Sequence, residues 1–142
     1  MRVVAPAGEF DLIHAIRGFV QARDRRLIKG IGDDCAVLPG PSGTDILSTT
    51  DSLVEGVHFR RELITSRELG ARSIAINVSD IAAMGGMPRY ALVSLALPPE
   101  DAQAFIPEYY GGVEEACEEY GVSVIGGNLS SSPCGIVITV VL

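Results

Sequence analysis

The sequence predicts an α+β (α/β-like) domain with a mixed sheet flanked by helices. Three observations lead there: apolar residues at helical spacing alternate with short runs rich in Val, Ile and Leu, Gly and Pro clusters separate the two kinds of run, and 47% of the 142 residues are hydrophobic, enough for one sizeable core.

Taken in order, Phe10, Ile13, Ile16 and Val20 follow the Pro6-Ala7-Gly8 entry at helical spacing, which predicts an amphipathic helix from about Glu9 to Ala22. Cys35 to Leu38 and Asp45 to Thr49 read as strands of a hairpin around Pro39-Gly40-Pro41-Ser42-Gly43. Thr65 and Glu68 form a capping box for a second helix through Leu69, Ile74, Val78 and Ile81, stopped at Gly85-Gly86. That helix is apolar on nearly every side and is expected to be buried. Tyr90 to Leu97 is a strand, and Pro98-Pro99-Glu100 opens a helical region carrying Phe105, Tyr109, Val113, Ala116 and Tyr120, ended by Gly121. Pro107 is expected to kink or divide it. Val122 to Ile125 and Ile136 to Leu142 read as the last strands, with Gly126-Gly127-Asn128-Leu129 and a serine run as the loop between them. The apolar pattern GIVITVVL runs to the last residue, the look of a strand cut short.

Composition excludes several classes. A net charge of −7, with Lys29 the only lysine, disfavours DNA or RNA as a partner. No apolar run is long enough to span a membrane, and the first residues lack the apolar core of a secretory signal, so the expected compartment is the cytoplasm. Cys35, Cys117 and Cys134 are far apart and lack CxxC spacing, which argues against a disulfide framework or a zinc site and for small buried hydrophobes. A phosphorylated ligand would have to be neutralised by something other than lysine, and a divalent cation is the natural candidate.

Four places put a carboxylate or amide in position to hold such a cation: Asp33-Asp34 in GIGDDCAV, Asp51 in STTDSLVEG, Asp80 in NVSDIAAMGG and Asn128 in VIGGNLSSS. Each has a plainer alternative. Asp33 or Asp34 caps a turn, Asp51 is a turn or N-cap residue, Asp80 pairs with Arg72 or Arg89, Asn128 is an ordinary turn residue, and His58 is a packed or surface histidine. Asp80 argues most strongly against the plain reading, because a carboxylate among Ile, Ala, Val and Met is costly unless it is paired or binds a cation. Together the four supply the hard oxygen ligands that Mg²⁺ bridging phosphates requires. The GxxxxGK[ST] and GxGxxG phosphate cradles are absent. Glu114, Glu115, Glu118 and Glu119 read as the wet face of the third helix.

As an ordered set, GEFDLI, GIGDDCAV, TTDSLVEGVHF, NVSDIAAMGG and VIGGN resemble the thiamine-monophosphate kinase family, in the superfamily of aminoimidazole ribonucleotide synthetase and selenophosphate synthetase. VEGVHF with SDIAAMGG points to the kinase branch. The resemblance implies a mixed four-stranded sheet flanked by helices, with sheets pairing across a homodimer. It implies that residues 1–142 are an N-terminal ATP- and Mg²⁺-binding and dimerisation domain whose C-terminal companion is absent from this chain. The implied activity is ATP-dependent phosphorylation of thiamine phosphate to thiamine diphosphate by in-line transfer with several Mg²⁺ ions and no catalytic protein nucleophile. Implied metal ligands are Asp34, Thr49, Thr50, Asp51 and Asp80; His58 is implied to contact thiamine phosphate, and Tyr110, Gly127 and Asn128 to approach ATP. Asp33 is left to the turn. One departure stands out: the family's usual GGDT reads Gly126-Gly127-Asn128-Leu129 here, exchanging an anionic ligand for an amide that still offers a carbonyl oxygen. Two alternatives stay open, another ATP-using enzyme of the superfamily, or a dimerisation and Mg-nucleotide binding module without turnover.

Overall fold

The structure is a computed structural model, described for residues 8–20 and 22–142. α1 (Glu9–Phe19) begins where Asp11 accepts the Gly8 backbone N–H (3.1 Å). It ends earlier than the expected Ala22: Val20 is already extended, and Gln21 lies outside the described residues. No residue of α1 is buried, so no packing holds a further turn against solvent, and Phe10 and Phe19 stand exposed.

β1 (Ala36–Pro39) and β2 (Asp45–Ser48) form the expected antiparallel hairpin, with Ala36 opposite Ser48 and Pro39 opposite Asp45. A strand the sequence reading did not anticipate follows at once: β3 (Thr50–Val54) opens a second sheet. Between the two, the Thr49 N–H and C=O pair with Leu142 at 3.0 and 3.1 Å. The second sheet has the order β3-β6-β4-β5, with β4 at Tyr90–Leu97, β5 at Ser123–Ser131 and β6 at Val137–Val141. β6 is antiparallel to both β3 and β4, while β4 and β5 are parallel. The expected mixed four-stranded sheet is present, and the parallel pair is joined by a crossover helix, as its geometry requires.

α2 (Ser66–Ala83) starts at the foreseen capping box, Thr65 Oγ1 accepting the Glu68 N–H (3.2 Å) and Glu68 accepting the Thr65 N–H (2.9 Å). Only one side of it is buried, however: Leu69, Gly70, Ser73, Ile74, Asn77 and Ile81 face inward, while Arg67, Arg72, Ser79, Ala82 and Ala83 are exposed. The expectation of burial all round fails because polar and small residues on its outer side cost nothing in water. α3 (Ala102–Tyr120) runs undivided through Pro107. Pro107 sits in the second turn and removes only the hydrogen bond to the carbonyl of Gln103, an exposed residue that water can satisfy. Gly121, left-handed at φ 69°, ends it.

α2 and α3 come into backbone contact at two glycines. A Cβ on Gly70 would collide with the Tyr109 carbonyl oxygen, and one on Gly112 with that of Arg67. Tyr109, wholly buried, shares a hydrogen bond with Ser73 (2.9 Å), and Ser73 also donates to the Gly70 carbonyl oxygen (2.7 Å). The helix pair covers one face of the sheet, where Ala91, Val93, Leu95 and Leu97 of β4 and Ile138 and Val140 of β6 are buried. The opposite face is uncovered at β4, where Tyr90 and Leu92 are exposed. Among the described residues no helix is long and apolar enough to cross a membrane.

Candidate functional site

β3 decides where the carboxylates go. Successive strand side chains point to opposite faces, and the pairing of Asp51 with Val140 and of Leu53 with Ile138 puts Asp51 on the helix-covered face, while Thr50, opposite Val141, is on the other. The turn or N-cap role expected for Asp51 gives way to a strand, and the Thr50 and Asp51 side chains diverge. Asp51 lies within electrostatic reach of Asp80 of α2: burial pushes the Asp51 carboxyl above the usual carboxylate range, the Asp80 charge adds to the shift, and His58 partly offsets it. Asp80 is itself half-buried and accepts a hydrogen bond from the Thr49 hydroxyl (2.8 Å). Neither Arg72 nor Arg89 pairs with it; among the described residues Asp80 makes no ion pair.

The aspartate pair before β1 divides its labour. Asp33 pairs with Lys29 and accepts the Asp34 backbone N–H (3.0 Å), and the Lys29 hydrogen bond holds its carboxyl below the usual range. Asp34 is exposed and lines a cavity of about 820 Å³ together with Thr49, Thr50 and Phe10 of α1. Cys35, buried beside them, has its thiol pushed up by burial and then by Asp80, Asp34 and Asp33 in turn, so the charges of both segments reach one point. Among the described residues no three His, Cys, Asp or Glu side chains are arranged to hold a metal by themselves. The cavity is bordered by Asp33 and Asp34 and not by Asp51 or Asp80; Thr49, which lines it and bonds Asp80, is the link between the two groups.

The second group lies at the other edge of the sheet. The stretch 126–131, expected as a loop, continues β5, because main-chain pairing to β4 carries through Ser131 irrespective of side chain. Gly127 is opposite Val93 and has no room for a Cβ, which would strike the Val93 carbonyl oxygen. Tyr110 of α3, Gly127 and Asn128 line one cavity of about 350 Å³ with Val93, Val124 and Leu129. Tyr110 is held edge-on against Tyr109, ring centroids 5.2 Å apart.

His58 borders a third cavity, of about 420 Å³, with Arg60 and Arg72. It is exposed, and its Nδ1 accepts the Val54 N–H (3.0 Å). Arg60 was not singled out from the sequence, its one signal being that it lies two residues beyond His58, and Arg72 was named there only as a partner for Asp80. Of the cysteines, Cys35 and Cys117 are buried as expected, but Cys134 is exposed, in the turn between β5 and β6 where nothing packs over it. Glu114, Glu115, Glu118 and Glu119 do form the wet face of α3, and Glu115 also accepts from Arg67 of α2 (2.6 Å).

Residues 32–142 match the family model for the AIR synthase related protein, N-terminal domain. The chain belongs to this family. Among family relatives, the thiamine-monophosphate kinase of Bacillus subtilis (strain 168) is 38% identical over 132 residues, 93% of this chain and 40% of that protein. The thiamine-monophosphate kinase of Aquifex aeolicus (strain VF5) is 43% identical over 125 residues, 88% of this chain and 38% of that protein. The chain thus spans about 40% of the length of the curated relatives it matches. A solved structure described as AaThiL complexed with AMPPCP and TMP aligns with a TM-score of 0.84 at 42% identity, covering 94% of this chain and 40% of that one. HypE of E. coli, a hydrogenase maturation protein, shares the fold at 18% identity and a TM-score of 0.56.

Proposed function

We propose that the chain is the N-terminal domain of an enzyme that phosphorylates thiamine phosphate to thiamine diphosphate with ATP, working in the cytoplasm as a homodimer. The observation that carries this reading is the Asp51–Asp80 pair: two half-buried carboxylates on facing elements, where among the described residues the Asp80 carboxylate is bonded by a hydroxyl alone and no arginine or lysine pairs with either. Such a pair is short of positive charge, and a hard divalent cation supplies it. Mg²⁺ needs only one or two carboxylates and completes its shell with water and phosphate oxygens, so the lack of an all-protein cage suits it. Asp34, Thr49, Thr50, Asp51 and Asp80 would hold several such ions between them, Asp34 and Thr50 on one side of β3 and Asp51 and Asp80 on the other, and these would neutralise phosphate charge. The relatives named thiamine-monophosphate kinase, and the neighbour bound to AMPPCP and TMP, support the choice of substrates.

The chain's own residues then bind and orient. His58, its Nδ1 engaged by Val54, presents Nε2–H to an acceptor phosphate, and Tyr110 with Gly127 and Asn128 seats the nucleotide. In-line transfer to a phosphate oxygen calls for positioning and no protein nucleophile. The uncovered face of β4 with Tyr90 and Leu92, and the exposed edge strand β5 with Ile125 and Leu129, support a second copy covering them. That the chain is about 40% of its relatives favours a second reading, a dimerising nucleotide-binding module that needs its missing companion for turnover.

The deciding assay is thiamine diphosphate formation from ATP, Mg²⁺ and thiamine phosphate, run on the full-length protein and on this chain. Product from the full-length protein alone supports the module role for this domain; product from neither overturns the kinase reading.

A further inference from the structure

The segment 55–64 between β3 and α2 carries His58, and it has little regular structure to hold it. Phe59 is buried beneath it, and a tight turn with Gly56 at φ 80° closes it, the Gly56 N–H donating to the Phe59 carbonyl oxygen (2.8 Å) and the His58 N–H to that of Val54 (2.8 Å). What ties this turn to the rest of the molecule is Arg61. Its Nε and one terminal nitrogen grip both oxygens of Glu55 (2.8 and 2.9 Å), and its other terminal nitrogen donates to Asp101 just ahead of α3 (2.6 Å). Glu55 in turn accepts the Ile136 N–H beside β6 (2.9 Å). Arg72 of α2 adds a weaker bond to the His58 carbonyl oxygen (3.3 Å).

We propose that Arg61 is a positioning residue for the acceptor site: by bridging Glu55 and Asp101 it sets the turn that makes Val54 donate to His58 Nδ1, and so fixes the hydrogen of the neutral ring on Nε2. This rests on the reading of His58 as the thiamine phosphate contact. The chemistry is that of a planar fork. A guanidinium satisfies one carboxylate bidentately and still reaches a second, which an ammonium cannot do in one geometry. The Val54 N–H fixes the tautomer because a ring nitrogen that accepts a hydrogen bond carries no hydrogen itself. The fold does not depend on the clamp, since the buried Phe59 and the β3 ladder remain without it. The orientation of His58 does.

The test compares Arg61→Met and Arg61→Lys with the unaltered protein. In the full-length enzyme, Arg61→Met is expected to lower kcat/KM for thiamine phosphate by about 10- to 100-fold, the scale of a misplaced binding group, with KM for ATP within twofold of the unaltered value. Arg61→Lys is expected to fall between them. Parallel loss for both substrates, or no loss for either, overturns the proposal. A second arm stands apart from activity: imidazole ¹⁵N spectra of the full chain are expected to show His58 as the Nε2–H tautomer, and Arg61→Met to show a mixture of tautomers. An unchanged His58 tautomer in the variant overturns the clamp. Absence of thiamine diphosphate formation by the unaltered enzyme sinks the functional reading, and the spectra still decide the clamp.

Discussion

The two ends of the candidate site are built in opposite ways. At the β3 and α2 end, groups are brought in: Asp51 of β3 and Asp80 of α2, both half-buried and short of positive charge, are joined by the buried Thr49 that precedes β3. At the β5 and α3 end, matter is left out: Gly127 lacks a side chain where Val93 leaves no space, and Tyr110 and Asn128 border the resulting hollow on an exposed edge strand. The first end depends on tertiary packing to hold like charges together. The second depends on main-chain pairing, which tolerates almost any residue except at the one position where backbones touch. Charge should therefore matter most at one end and volume at the other.

Three substitutions press on that contrast. Gly127→Ala forces a Cβ into the Val93 carbonyl oxygen and should break the β4–β5 pairing at a cost of about 3 kcal/mol, near the top of the usual range for point substitutions. Chemical denaturation reads it, and a loss below 1 kcal/mol would show that the edge strand yields and that volume does not govern this end. Asp80→Asn keeps an acceptor for the Thr49 hydroxyl while removing the charge, so the fold should stand. What should vanish is the Mg²⁺-dependent part of the stabilisation by ATP, about 2.7 kcal/mol at a ligand concentration 100 times its dissociation constant. Thermal melts of the chain with ATP, with and without Mg²⁺, measure it; an undiminished gain would remove Asp80 from the cation site. Asn128→Asp is the mildest change, within about 0.5 kcal/mol in stability on an exposed strand. It should tighten Mg²⁺ at the glycine end, measured by titration calorimetry with Mg²⁺ and ATP, and equal affinity in both forms would mean that charge is indifferent there.

Much of the fold was legible in residue patterns. The capping box at Thr65 and Glu68 marked the start of α2, Gly121 marked the end of α3, and the Pro-Gly cluster at 39–43 marked the hairpin, because each is a local stereochemical requirement met by neighbouring residues. β3 was missed because its five residues, Thr-Asp-Ser-Leu-Val, show hardly any apolar alternation; pairing to β6 makes it a strand. The same holds for residues 126–131, whose glycines and serines read as a turn until β4 lies alongside. α1 was read about three residues too long because helical spacing continues in the sequence beyond Val20, where the chain is already extended.

For the site, the sequence alone singled out the unusual residues: a carboxylate inside an apolar helix, an adjacent aspartate pair, and a glycine pair ahead of an asparagine. Their costs and freedoms are local properties, visible without neighbours. Which of them share a space was decided only by tertiary structure. Strand alternation sends Thr50 and Asp51 to opposite faces, a hydroxyl from the junction of the two sheets reaches Asp80, and Lys29 claims Asp33 and leaves Asp34 exposed. Distance along the chain carries no information about these meetings, since they follow from hydrogen-bonded register and helix packing between segments as far apart as Thr50 and Val141.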